Sequence, residues 1–232
     1  MVVKSAKKTL RFVSTAFASA VVLILWATPV QPSLWREQVI PILGVTLDNR
    51  HISGAVATVR VSFAERLDHS GLAMHFLNAP GRFSPMAQTA VEQAVYRTAR
   101  AAGLKMDRWT VILSVLDPGL TLYGESLSAM VGLSVVALAK GDSVPPDRVM
   151  TGAVTPDGHI APVGSISLKV RAAEQAHMRR IVVPDETDPA DADWSTPFLL
   201  QVSPVGSVEQ AYLALTDRTL LSERPGVDVL SH

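Results

Sequence analysis

The 232-residue chain has no cysteine, so neither disulfides nor thiolate metal sites can contribute to it. It has no excess charge either, because 21 basic residues balance 21 acidic ones. Setting aside Lys4, Lys7, Lys8 and Arg11 at the N-terminus leaves 17 basic against 21 acidic residues. A mildly acidic body is a poor electrostatic match for nucleic acid. The six histidines never fall in H-E-x-x-H or a comparable ligand spacing, so no metal is expected. No G-x-x-x-x-G-K-[ST] occurs, and with no cofactor expected the chemistry should be run by side chains alone, without ATP.

Long apolar runs are scarce, and the one at the start stands apart. The head MVVKSAKKTLR is followed by FVSTAFASAVVLILWATPV at 12–30, about the length of a membrane span and acid-free. Leu25 and Trp26 make a poor small-x-small cleavage site, so an uncleaved anchor over residues 1–31 is expected. The positive-inside rule then places the rest of the chain outside the cytoplasm. A long cleaved signal peptide, leaving a periplasmic or secreted protein, is the alternative. Residues 32–44, PSLWREQVIPILG, read as a linker, 45–222 as the domain and 223–232 as a tail.

Within the domain the periodicity changes repeatedly. Val59, Val61 and Phe63 alternate with Arg60 and Ser62, which predicts a half-buried strand, and Leu72, Met74 and Phe76 suggest its antiparallel neighbour. Ser84-Pro85 offers a helix start and Gly103 a stop, with Ala87, Val91, Ala94 and Val95 at helical spacing between them. WTVILSVL at 109–116 reads as a buried strand, and 126–139 as a helix apolar nearly all round. PDGH at 156–159 reads as a turn, 168–177 as a helix, RIVVP at 180–184 and FLLQV at 198–202 as strands, and 207–215 as a last helix. Strands and helices mix without regular alternation, which predicts an α+β fold.

The stretch GESLSAMVG at 124–132 raises the question of a nucleophile, since Ser126 and Ser128 both stand at the head of the apolar helix. A serine hydroxyl needs a base to take its proton. One reading makes Gly124-Glu125-Ser126 a near miss to G-x-S-x-G, with His159 or His177 as base of an esterase. Another takes Lys169, between Leu168 and Val170 on a helix that must partly face the core. Burial disfavours a charged amine, which brings lysine towards the range of a base at neutral pH. Most lysines on amphipathic helices are simply solvated.

The continuous run from Ser126 through MTGAVTPDGHIAPVGSISLKVRAA to IVVP resembles the proteolytic domain of the Lon protease family. There a G-P-S-A-G segment carries the nucleophile, and M-T-G-x-(I/V)-(T/D)-x-x-G-x-(I/V)-x-P-(I/V)-G-G-(I/L)-x-x-K carries a lysine. The two patterns align without a gap, selecting Ser126 over Ser128 and Lys169 as its partner. The resemblance extends over about residues 45–220, taking in the helix after Ser84, DPG at 117–119 and VSPVGSVEQAYLAL at 202–215. It implies a ribosomal-protein-S5-like α+β domain, a Ser/Lys dyad peptidase acting on peptides or unfolded proteins, and a homo-oligomer, commonly a hexamer. It also implies that Thr151 orients the lysine. This chain departs from the pattern at Glu125 (proline in the family), at Leu127-Ser128 (Ala-Gly), at Tyr123 (commonly aspartate) and at Ser165 (the second glycine of P-(I/V)-G-G). Those departures keep open a second expectation, an inactive domain serving as a membrane-associated interaction module.

Overall fold

Alternation along two long strands builds the first sheet. The computed structural model describes residues 35–48, 51–186, 197 and 199–220, all within one unit spanning 33–232. β1 (Arg36–Asp48) and β2 (His51–Glu65) form an antiparallel hairpin paired from Arg36↔Phe63 to Asp48↔His51. Val59, Val61 and Phe63 face inward, as their spacing predicts. Residues 36–44 of the expected linker are therefore strand. The prolines at 32 and 41 masked it in the sequence, but Pro41 is tolerated because β1 is the sheet edge, where one side of the backbone needs no ladder partner.

β3 (Ala73–Phe76), β4 (Arg82–Phe83), α1 (Pro85–Ala101) and β5 (Trp109–Val115) follow. The first sheet has the order β1-β2-β5-β3. β3 lies parallel to β5 rather than antiparallel to β2, which corrects the expectation for Leu72, Met74 and Phe76. Both edges of β2 are already occupied, by β1 and β5. Between β2 and β3 the Arg66 guanidinium donates to the carbonyls of Gly71 and Trp109, folding the connection into a loop instead of a tight hairpin.

Ser84 caps α1 by accepting from the Ala87 N–H at 3.2 Å, and Pro85 occupies the first turn. β6 (Thr121–Leu122) pairs with β4. α2 (Ser128–Lys140) is buried from Ser128 to Leu138 and ends on left-handed Gly141. It lies against α1 where Gly132 faces Ala94: a Cβ at Gly132 would stand 3.0 Å from the Ala94 backbone. Together these elements enclose the larger core, in which Phe63 and Trp109 meet edge to face at 5.3 Å.

β7 (Arg148–Met150), the hairpin β8 (Ala153–Val154) and β9 (Ile160–Ala161), α3 (Ile166–Gln175), β10 (Arg180–Pro184), β11 (Gln201–Val205) and α4 (Val208–Thr216) complete the fold. β7, β10 and β11 form a parallel sheet with β10 central. Ile181 and Val183 join Val149 against α3, while Val182 and Met150 face the larger core. Covered on both faces, β10 reads as an unbroken apolar run. The strand expected at 198–202 lies instead at 201–205, on an edge that admits Pro204. The anchor or signal expected at 1–31 and the tail at 223–232 lie outside the described residues. Among those residues no helix is long and apolar enough to cross a membrane.

The C-terminal end of α4 is held by two guanidinium groups. Arg148, 5% exposed, donates to the carbonyl of Leu215 at 3.0 Å and pairs with Asp217; Arg180 donates to the Ala214 carbonyl at 2.6 Å. Positive charge there satisfies carbonyls that have no helical partner. The hydrogen bond from Arg148 holds the Asp217 carboxyl at about 2, below its ordinary value of 3.8. A depressed carboxyl stabilises the fold above its unfolded value and loses that contribution as pH falls. The thermal midpoint of the protein should therefore fall more steeply between about pH 4 and pH 2 than that of Asp217→Asn, measured by circular dichroism.

Candidate active site

The loop from β5 to α2 is fixed at both ends. Asp117 Oδ2 accepts the Thr58 N–H at 2.6 Å, and Gly119 donates to the Pro80 carbonyl at 2.9 Å. Gly124 has φ +80° with open space where a Cβ would be, so backbone conformation and not crowding calls for glycine there. Ser126 follows, half-buried, two residues before α2 begins. Its carbonyl accepts two bonds, from the Gly152 N–H at 2.9 Å and the Thr151 hydroxyl at 3.2 Å. Ala129 returns one, donating to the Gly152 carbonyl at 3.2 Å. The serine turn is thereby stitched to the strand end after β7.

These bonds redistribute the donors at the head of α2. The N–H groups of Ser128 and Ala129 are taken by the Glu125 and Gly152 carbonyls. Those of Ser126 and Leu127 donate to no backbone carbonyl among the described residues.

Lys169 comes from α3, whose buried face carries Ile166, Lys169, Val170 and Ala173 at helical spacing. It is 3% exposed, so the solvated reading of this lysine does not hold. Two features seat the helix. Gly54 of β2 lets it approach, and Ser165 precedes it with φ +63°. That left-handed conformation is the physical reason a glycine suits position 165, and serine tolerates it at some cost in strain.

Ser126 and Lys169 line one cavity of about 900 Å³. Its other walls are residues 42–47 of β1, Ala55 and Ala57 of β2, the loop 120–127 and residues 162–165. The β1 wall was hidden in the sequence by the linker reading; the alternation of Ile40 and Ile42, continued to Gly44, was the available signal. Thr151 is fully buried and reaches the site through the Ser126 carbonyl. Two smaller cavities, of about 300 and about 490 Å³, contain neither Ser126 nor Lys169.

The two histidines weighed as a base lie elsewhere. His159 is exposed at the β8–β9 turn with Nδ1 2.9 Å from Asp157 Oδ2, and His177 is exposed beyond the end of α3. Neither lines the serine cavity. Among the described residues no group of histidines and carboxylates could hold a metal ion.

The family model for the Lon protease (S16) C-terminal proteolytic domain matches residues 107–211, which include the serine turn, β7, α3 and the first turn of α4. The archaeal Lon protease of Archaeoglobus fulgidus is 25% identical over 133 residues, 57% of this chain and 21% of that protein. The Lon protease of Methanosarcina barkeri is 34% identical over 89 residues, 38% of this chain and 11% of its own length. Lon protease 2 of Syntrophobacter fumaroxidans is 32% identical over 104 residues, 43% of this chain and 13% of its own. The chain thus spans about a fifth or less of these relatives. Over residues 107–211, the segment that carries Ser126 and Lys169, this mixed α/β chain matches the proteolytic domain of the Lon protease family.

Proposed function

We propose that the protein is a serine endopeptidase in which Ser126 is the nucleophile and Lys169 the general base. The observation that carries this reading is the convergence of a half-buried serine and a buried lysine, from separate elements, on one cavity. Lys169 takes the Ser126 proton as the hydroxyl oxygen attacks a peptide carbonyl, then returns it to the leaving amine; water hydrolyses the acyl-enzyme. The N–H groups of Ser126 and Leu127 meet the developing oxyanion, aided by the positive end of α2. Thr151 holds the serine turn through its carbonyl, beside the lysine-orienting role that family resemblance gives it. The outer edge of β1, which has no strand partner among the described residues, borders the cavity and would let an extended peptide add as a strand.

With no nucleotide-binding fingerprint in the sequence, we read the activity as ATP-independent and the substrates as unfolded proteins or flexible segments. By resemblance the domain would have the S5-like form and assemble as a homo-oligomer. The apolar stretch at 12–30 would hold it at a membrane, with the domain outside the cytoplasm. The changed residues around the nucleophile favour one rival, an inactive interaction module.

Incubating the full chain with an unfolded protein, without nucleotide, separates the readings by mass spectrometry of the products. Fragments are expected from the natural sequence, His159→Ala and His177→Ala, and none from Ser126→Ala. Equal product from all four would reject Ser126 as nucleophile, and none from any would leave the interaction module.

A further inference from the structure

We propose that Glu125 gives this cleft a charge preference, favouring peptides with a basic residue close to the scissile bond and disfavouring acidic ones. The inference rests on the peptidase reading and names the substrate class of that same site. Glu125 immediately precedes Ser126, its side chain is exposed, and it lines the cavity. It belongs to no ion pair among the described residues, whereas Glu37, Glu65, Asp68 and Asp217 all do. Among the described residues, then, no side chain neutralises its carboxylate.

Position and surroundings strengthen the effect. The Glu125 carbonyl accepts the Ser128 N–H at 2.8 Å, and the next residue's carbonyl is held by Thr151 and Gly152. The backbone carrying the carboxylate is thus fixed relative to the nucleophile. Among the described residues, Glu125 and Lys169 are the only lining residues of the Asp, Glu, Lys, Arg or His type. Lys169 is 3% exposed and must be uncharged to act as a base, so the formal charge that the described lining presents to a bound peptide is negative. Ile42, Leu120, Leu122 and Leu127 furnish apolar walls, which focus a single charge better than water does.

The carboxylate is exposed, so each charge should change specificity by about 2- to 5-fold, and a lysine-for-glutamate exchange by about tenfold. The test uses three quenched fluorescent peptides identical except for Lys, Gln or Glu within two residues of one leucine. Their kcat/KM values are compared for the natural protein, Glu125→Gln and Glu125→Lys. The Lys-to-Glu ratio should be about ten in the natural protein at low salt, shrink as salt approaches 1 M, fall towards one in Glu125→Gln and invert in Glu125→Lys. An unchanged ratio in all three proteins overturns the inference and leaves the peptidase standing. Fluorescence anisotropy of the same peptides on Ser126→Ala and on Ser126→Ala with Glu125→Gln reads the preference without hydrolysis. If no protein cleaves, the peptidase reading fails, and the affinity ratio still decides the role of Glu125: a ratio lost with the carboxylate supports it, and an equal ratio overturns it.

Discussion

Lys169→Met is expected to lower kcat/KM by about 10²- to 10⁴-fold, the range a positioned general base supplies, while the protein stays folded. Methionine keeps an unbranched four-atom stem, with sulfur in place of Cδ, and lacks the amine. Lys169 is 3% exposed on the face of α3 that also carries Ile166, Val170 and Ala173. An amine taken out of water loses hydration, a cost that an apolar side chain of similar volume does not bear. A structural lysine and a base thus predict different pairs of results. The structural role couples lost activity to a lower thermal midpoint; the base role separates them. Lys169→Arg sharpens the contrast, because an arginine stays protonated and cannot accept the serine proton. It should be inactive as well. Full activity in Lys169→Met would end the dyad proposal.

The sequence disclosed the pair that shares the cavity, Ser126 and Lys169, better than it disclosed the walls around it. Ser126 and Lys169 stand in a local pattern with fixed spacing, and the turns and helix starts between them are punctuated by Gly152, Gly158 and the Pro162–Ser165 turn. Such spacing survives reading in one dimension. The β1 wall depends instead on pairing with β2, and the prolines in its sequence argue against a strand unless it is known to be an edge. Likewise, the partner of Leu72, Met74 and Phe76 is set by which edges remain open in the sheet, and no local feature reports that. The exposure of Lys169 was ambiguous for the same reason. Its helix is amphipathic on either reading, and only contact with β2 and the core residues around it decides which face lies inward.

That contact also yields the second large expected effect. Gly54→Ala should cost about 1–3 kcal/mol of stability, as insertion of a group into a filled site typically does. A methyl group there would lie 2.0 Å from the Leu168 carbonyl oxygen and 2.8 Å from the Ala172 Cβ. The first obstacle is backbone, so no rotamer change relieves it, and α3 must lift away from β2. Lys169 is the next residue after Leu168 and moves with the helix. Ser126 does not, because its turn is bonded to Thr151 and Gly152. A displacement of about 1 Å between reacting groups costs about 10²-fold in rate, so kcat should fall much further than the loss of folded protein explains. Gly44→Ala provides the control for stability, since a Cβ at Gly44 meets nothing within 4 Å although it lies in the same hairpin, opposite Ala55. Chemical denaturation and single-turnover kinetics on the folded fraction measure the two effects separately. An unchanged denaturation midpoint and rate for Gly54→Ala would mean that α3 does not depend on this close approach to hold its lysine in the cleft.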